Sequence, residues 1–399
     1  MNRRRTASAA ALLALLLPLP LAAAGTAAAA APSGVTAPFA AAEAPSAAEN
    51  RHATVELPRP TGRFSVGQET LHLVDRSRTD PWARSGPREL MVTLRYPAQR
   101  GTGGPVQYLT AEEARLLLVD RGLEAAIPVE TLAGTAGHSR SHARPVAGRY
   151  PLVVLSPGFT VHRSTLTALA EDLASRGYVV AAVDHAYESV GTAFPGGRVL
   201  ECKACDTVEA GTPMQAVSDN RARDVSFLLD RLTGRHPAWC HAGLIDQSRI
   251  AMAGHSIGGA SALAAMAADP RVRAGVNMDG GLATPAPGNG LGGRPFMLLG
   301  AQNRGPGGNP SWDRDWPKLD GWKRWITFAD SGHFTFSDFP AIAEQLGLPD
   351  PEAPLPGARS VELTRSYVGA FFDQHLKGRP QPLLDGPSPQ TPEARFHTP

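Results

Sequence analysis

Cysteine is scarce in this chain: Cys202, Cys205 and Cys240 are the only three among 399 residues. A small scaffold held together by disulfides is thereby excluded, and an odd count leaves at least one thiol without an intramolecular partner. A surplus of one charge is also missing. Three of the 39 basic residues, Arg3, Arg4 and Arg5, stand at the very start, and without them the 37 acidic residues are in excess by one. Such a balance gives no footing to nucleic acid as a partner. No internal repeat is present, and after residue 31 no apolar run is long enough to span a bilayer.

The first 31 residues read as a signal peptide. A basic start (MNRRRT) leads into an apolar stretch (AALLALLLPLPLAAA) broken by Pro18 and Pro20, and small residues (GTAAAAA) follow as a cleavage region. The expectation is general secretion and a soluble, extracellular protein. Residues 32–54 are rich in Ala, Pro and Ser without periodicity and read as a flexible leader. One catalytic domain is expected over 55–385, with 386–399 as a C-terminal tail. In an oxidising compartment one disulfide is expected, from Cys240 to Cys202 or Cys205. A zinc site built from these cysteines with His236 or His241 lacks the second close Cys/His pair that such sites use, so no metal is expected.

Within the domain, SVGQETLHLVD (65–75) and RELMVTLRYPA (88–98) alternate apolar and polar residues, as half-buried antiparallel strands do. A Gly- and Arg-containing loop covers 133–148. Strand and helix patterns then take turns. YPLVVLSP (150–157), YVVAAVD (178–184), RIAMAG (249–254), RAGVNM (273–278), PFMLLG (295–300) and KRWITFA (323–329) read as strands. Between and after them, 163–177, with Leu166, Leu169 and Leu173 at helical spacing, 214–234 and 360–376 read as helices. This alternation predicts an α/β fold with a mostly parallel central sheet flanked by helices.

The segment RIAMAGHSIGGAS (249–261) places Ser256 between a strand and an Ala-rich helix, inside Gly-x-Ser-x-Gly. Gly and Ser make ordinary turns, but a turn buried between two core elements fits a nucleophile elbow better. A serine hydroxyl needs a base to take its proton, and at such elbows the order along the chain is Ser, acid, His. Of the histidines after Ser256, His375 falls inside the last helix and His397 near the chain end; His333 follows a strand and a loop. The acid is Asp279, directly after the 273–278 strand, or Asp313, in SWDRDW. Asp279 is preferred because a carboxylate at the carboxyl end of a parallel strand points into the crevice where ligands bind. The oxyanion donors are expected to be the amides of Ile257, next to the serine, and Phe159, in SPGFT after the first main strand.

These blocks, YPLVVLSPGFT with LAEDLASRGYVVAAVDH, RIAMAGHSIGG, VNMDGG and SGHFTFSDF, resemble the platelet-activating factor acetylhydrolase family in its secreted and intracellular type II branch. The resemblance implies an α/β-hydrolase fold and calcium-independent hydrolysis of short or oxidised acyl esters of phospholipids through an acyl-enzyme. It also supports Asp279, since the family's acid follows the strand next to the nucleophile. Pro157 stands where the family usually has a His before the oxyanion glycine, and SPGFT is similar to bacterial cutinases and polyester hydrolases.

The expected activity is thus that of a secreted serine ester hydrolase with no cofactor, acting on a small ester or lipid. A cutinase-like polyester or triglyceride hydrolase is the alternative. A non-catalytic hydrolase-fold binding protein or a peptidase ranks below both. Transient contact with lipid surfaces is expected, and no protein partner is implied. The loops at 185–213 and 282–294 are the candidate lids.

Overall fold

The computed structural model describes residues 54–399 with the exception of residue 349. The expected signal segment, 1–31, and all but the last residue of the expected leader lie outside the described residues. The first strands, Ser65–Thr79 (β1) and Pro87–Ala98 (β2), pair antiparallel, as the alternation predicts. β1 is half-buried, but β2 is buried on both faces. Leu90, Val92, Leu94 and Tyr96 enter one core. On the other face Thr93 accepts from Arg163 Nε at 2.7 Å, and Arg95 donates to Thr167 Oγ1 at 3.0 Å. Polar side chains that find partners can be buried, which alternation alone does not register.

Two helices, Ala111–Arg121 (α1) and Val129–Ala133 (α2), precede a short strand Ser139–Ser141 (β3) inside the expected 133–148 loop. α1 starts where it does because Thr110 and Glu113 cap each other's backbone amides. The central run then follows: Tyr150–Ser156 (β4), Thr167–Ser175 (α3) and Val179–His185 (β5). The expected lid loop at 185–213 folds into a hairpin, Thr192–Phe194 (β6) with Arg198–Leu200 (β7), and a helix Lys203–Glu209 (α4). Next come Met214–Thr233 (α5), Ile245–His255 (β8), Ile257–Ala268 (α6), Val272–Met278 (β9) and Phe296–Gly300 (β10). Pro310–Asp315 (α7), Lys323–Phe328 (β11), Phe339–Gln345 (α8), Gly357–Lys377 (α9) and Ala394–His397 (β12) complete the chain.

Ten strands form one sheet in the order β12-β11-β10-β9-β8-β4-β5-β2-β1-β3. From β5 through β11 every neighbouring pair is parallel. Side chains alternate between the faces: Leu152 and Val154 of β4 meet Leu228, Leu229 and Leu263 of α5 and α6, while Val153 and Leu155 meet Leu169, Leu173 and Phe371 of α3 and α9. Each such buried apolar side chain contributes about 1.5–3 kcal/mol. The sheet therefore has a core on both faces, which is why its central strands are almost continuously apolar.

Two expectations are corrected. Residues 386–399 are not a tail: β12 pairs antiparallel with β11, and Ala329 N donates to Glu393 O at 2.8 Å, so the fold runs to the end of the chain. The disulfide joins Cys202 to Cys205, leaving Cys240 free and exposed. Cys202 caps α4, which brings the two Cα atoms within 5.3 Å, inside the range a disulfide spans. Cys240 lies instead beside Glu69 and His241.

Candidate active site

β8 ends at His255 and α6 begins at Ile257, so Ser256 stands alone on the corner, with φ 55° and ψ −127°. A non-glycine residue in that region costs on the order of 1–3 kcal/mol and persists only if its surroundings hold it. They do. Ser256 N donates to Met278 O at 2.8 Å, and its own carbonyl accepts from Gly259 N and Ala260 N at 2.9 and 3.1 Å. Two neighbouring backbones approach so closely that only glycine fits. A methyl group at Gly258 would lie 2.0 Å from Ser156 O, and one at Gly280 would lie 1.9 Å from Ser256 O. The buried turn weighed against an elbow is thus an elbow in its geometry.

The three side chains singled out in the sequence meet there. Ser256 Oγ lies 3.0 Å from His333 Nε2, and His333 Nδ1 lies 2.5 Å from Asp279 Oδ2. Ser256 and Asp279 stand directly past the carboxyl ends of β8 and β9, and His333 lies on the loop that follows β11. Asp279 is 1% exposed, and its second oxygen accepts from Ala301 N at 2.8 Å with Arg304 Nε 3.3 Å away. The carboxylate is therefore fully engaged and fixed in direction. Asp313, the alternative acid, lies in the first turn of α7 and instead accepts from Gly307 N of the preceding loop at 3.1 Å. His375 packs on Trp322, and His397 bonds Thr327 Oγ1 at 2.8 Å on the edge strand.

Ile257 occupies the first position of α6, where a backbone N–H has no intrahelical acceptor. The Gly158–Phe159 turn faces the same corner: a methyl on Gly158 would lie 3.5 Å from Ser256 Cβ. Both expected oxyanion amides thus belong to segments that border Ser256. The Phe159 ring joins an apolar cluster with Trp82, Tyr187, Met214 and Ile257, which gives the site an aromatic wall.

Some residues of this region were given no role by the sequence, although Asp338 lies in the SGHFTFSDF block that carries the family resemblance. His255 is buried, donates from Nε2 to His333 O at 2.7 Å, and packs against the His333 ring, tilted by 43°, with ring centres 4.7 Å apart. Burial, reinforced by the neighbouring His333, pushes its pKa down to about 3, so it is neutral and holds the His333 backbone. Asp338 ties the same loop to the start of α3 by accepting from Thr167 N and Ala168 N, both at 3.1 Å. Beneath the Ser156–Phe159 turn lies a buried charged cluster of Arg88, Glu188, Arg221 and Asp224. Its one sequence trace is that helical spacing puts Arg221 and Asp224 on the same side of α5 as Val217, Val225 and Leu228.

Residues 127–196 and 208–346 match the family model of platelet-activating factor acetylhydrolase, isoform II. The chain belongs to that family. A probable 1-alkyl-2-acetylglycerophosphocholine esterase of Arthroderma benhamiae is 31% identical over 371 residues, covering 85% of this chain and 93% of the relative. A solved structure of a ferulic acid esterase from Streptomyces cinnamoneus superposes with a TM-score of 0.77 at 46% identity, covering 87% of this chain and all of that one. A bis(hydroxyethyl) terephthalate hydrolase of Streptomyces coelicolor is 30% identical over 129 residues, about a third of each chain. Membership makes this acetylhydrolase-family protein a carboxylic ester hydrolase with the α/β-hydrolase fold, as the sequence resemblance implied.

Proposed function

We propose that the protein is a serine carboxylic ester hydrolase that works through an acyl-enzyme and accepts compact acyl groups. The observation that carries this reading is the unbroken Ser256–His333–Asp279 chain of contacts at a strained strand-to-helix corner. In this reading Ser256 Oγ attacks the ester carbonyl while its proton passes to His333 Nε2. Asp279 accepts from His333 Nδ1, fixing the tautomer and stabilising the imidazolium. The amides of Phe159 and Ile257 receive the negative charge that develops on the carbonyl oxygen. His333 then returns the proton to the departing alcohol, and water, deprotonated by the same imidazole, releases the acid.

Short acyl esters of the platelet-activating-factor type are supported by the family and by the Arthroderma relative. A second acyl class is favoured by the aromatic wall of Trp82, Phe159 and Tyr187 together with the 46% identical ferulic acid esterase: esters of hydroxycinnamic acids. Export is part of the proposal. It is supported by the basic, apolar and small-residue order of residues 1–31 and by the Cys202–Cys205 disulfide.

The test is hydrolysis of p-nitrophenyl esters from acetate to palmitate, of methyl ferulate, and of a phospholipid with a short sn-2 chain. Each is measured with the wild type and with Ser256→Ala. A loss of at least about 10³-fold in the variant is expected on every substrate that turns over. Turnover retained in Ser256→Ala would sink the serine mechanism, and palmitate as the preferred ester would sink the compact-acyl assignment.

A further inference from the structure

Building on that hydrolytic reading, we propose that Arg221 is a positioning residue that aims the Phe159 amide at the developing oxyanion. Arg221 projects from α5 and is 1% exposed, so its charge sits in the protein interior. Its Nη1 donates to Pro157 O at 2.5 Å and to Ser156 Oγ at 3.1 Å, and its Nη2 reaches Gly158 O at 3.4 Å. One guanidinium thus draws two consecutive carbonyls of the turn to one side.

The consequence follows from peptide geometry. In a planar trans peptide the C=O and the N–H of one unit point in opposite directions. With the Gly158 carbonyl held toward Arg221, the N–H of the same unit, that of Phe159, is turned away from it. A methyl placed on the Gly158 Cα would lie 3.5 Å from Ser256 Cβ, so the turn borders the nucleophile.

The surroundings hold Arg221 in this pose. Its Nε donates to Glu188 Oε2 at 2.7 Å, and Glu188 Oε1 accepts from Arg88 Nη2 at 2.9 Å and Trp82 Nε1 at 2.8 Å. Arg88 reaches Asp224 at 2.7 Å, Asp224 meets His185 Nδ1 at 2.8 Å, and His185 Nε2 lies 3.0 Å from Ser156 Oγ. The chain of contacts leaves the turn at Arg221 and returns to it at Ser156. A purely structural role explains less. Hydrophobic residues of similar volume often stabilise a core as well as buried ion pairs do. No hydrophobic side chain could hold two carbonyls to one side.

The experiment compares wild type with Arg221→Lys, which keeps the charge but cannot span both carbonyls. Readouts are kcat, KM, thermal midpoint and the affinity of a small alkylboronic acid, which mimics the tetrahedral intermediate once bonded to Ser256. Expected are a fall in kcat of about 10- to 100-fold, a parallel loss of boronate affinity, and KM within about 3-fold. Wild-type kcat, or losses that track a lowered thermal midpoint with boronate affinity unchanged, would overturn the proposal. If Arg221→Lys does not fold, the double variant Arg221→Met, Glu188→Gln, which removes the cation with its partner, is read the same way.

A crystal structure of the wild-type boronate adduct adds a measurement that needs no variant. A boronate oxygen within about 3.1 Å of Phe159 N supports the role; an oxygen placed away from that amide refutes it. Labelling by a fluorophosphonate separates the two readings. Wild type that is labelled at Ser256 while Arg221→Lys keeps full kcat removes the Arg221 role alone. Wild type that is neither labelled nor active removes the serine mechanism, and the Arg221 role with it.

Discussion

Acidification from pH 7 to pH 5 should cost the native state about 2 kcal/mol through His255 alone. The residue is 1% exposed, and its folded pKa of about 3 lies below the 6.5 of a free histidine. Burial comes first among the causes, followed by the neighbouring His333 imidazole, then by the bond to the His333 carbonyl, which works the other way, and by Arg121. Between pH 3 and pH 6.5 the unfolded chain therefore binds a proton that the native chain does not, and stability falls as the pH drops through 6.5. At pH 5 the unfolded state gains RT ln(1 + 10^1.5), about 2 kcal/mol, against about 0.2 kcal/mol at pH 7. The figure depends on the unfolded value as long as the folded pKa stays well below 5. Urea unfolding at the two pH values, for wild type and His255→Gln, isolates it. Glutamine retains a donor for the His333 carbonyl but does not titrate, and the carboxylates shared by both proteins cancel in the comparison. The variant should lose about 2 kcal/mol less than wild type between pH 7 and pH 5. Equal losses in both proteins would show that His255 charges freely in the native state and would refute the reasoning.

Asp279→Asn should lower kcat by about 10⁴-fold by favouring the wrong His333 tautomer, whereas Asp313→Asn should stay within about 3-fold; the reverse order would move the acid to Asp313. Iodoacetamide should label Cys240 alone before reduction, and labelling of Cys202 or Cys205 would overturn the observed pairing. Replacing both Cys202 and Cys205 by serine should cost about 2 kcal/mol or less in chemical unfolding, because the loop they close is short. Ending the chain after residue 385 removes β12, the Arg359–Glu393 ion pair and the buried Ala394. A loss of about 2–4 kcal/mol and concentration-dependent aggregation through the bared edge of β11 are expected. An unchanged thermal midpoint in that truncation would show β12 to be dispensable.

What could be read in the residues was what leaves a local trace. The parallel strands announce themselves as short apolar runs because they are buried on both faces, and Ser256 does so through its glycines and its place between strand and helix. The order of acid and histidine along the chain singled out His333 but left Asp279 and Asp313 both open, and the place of Asp279 at a strand end, with the family resemblance, decided between them. β12 was missed because four residues, ARFH, carry too little pattern to separate an edge strand from a tail. The Cys202–Cys205 bond was missed because it depends on how α4 begins, which three cysteine positions do not reveal. The charged cluster around Arg221 was hidden for a different reason. A helix face carrying both leucines and charges reads as amphipathic until the structure shows that the charged positions are also inside.

The glycine contacts at the elbow have a consequence for anyone diversifying this enzyme. Gly258 and Gly280 each leave less room than one methyl group needs, and the obstructing atoms are backbone. Randomised libraries that include these two codons would spend most of their members on proteins with a displaced Ser256. The wall formed by Trp82, Tyr187 and Met214 belongs to other segments of the chain and packs through side chains. On the proposed reading, acyl preference is therefore better varied at Tyr187 and Met214 than at Trp82, whose indole N–H also holds Glu188 and through it Arg221.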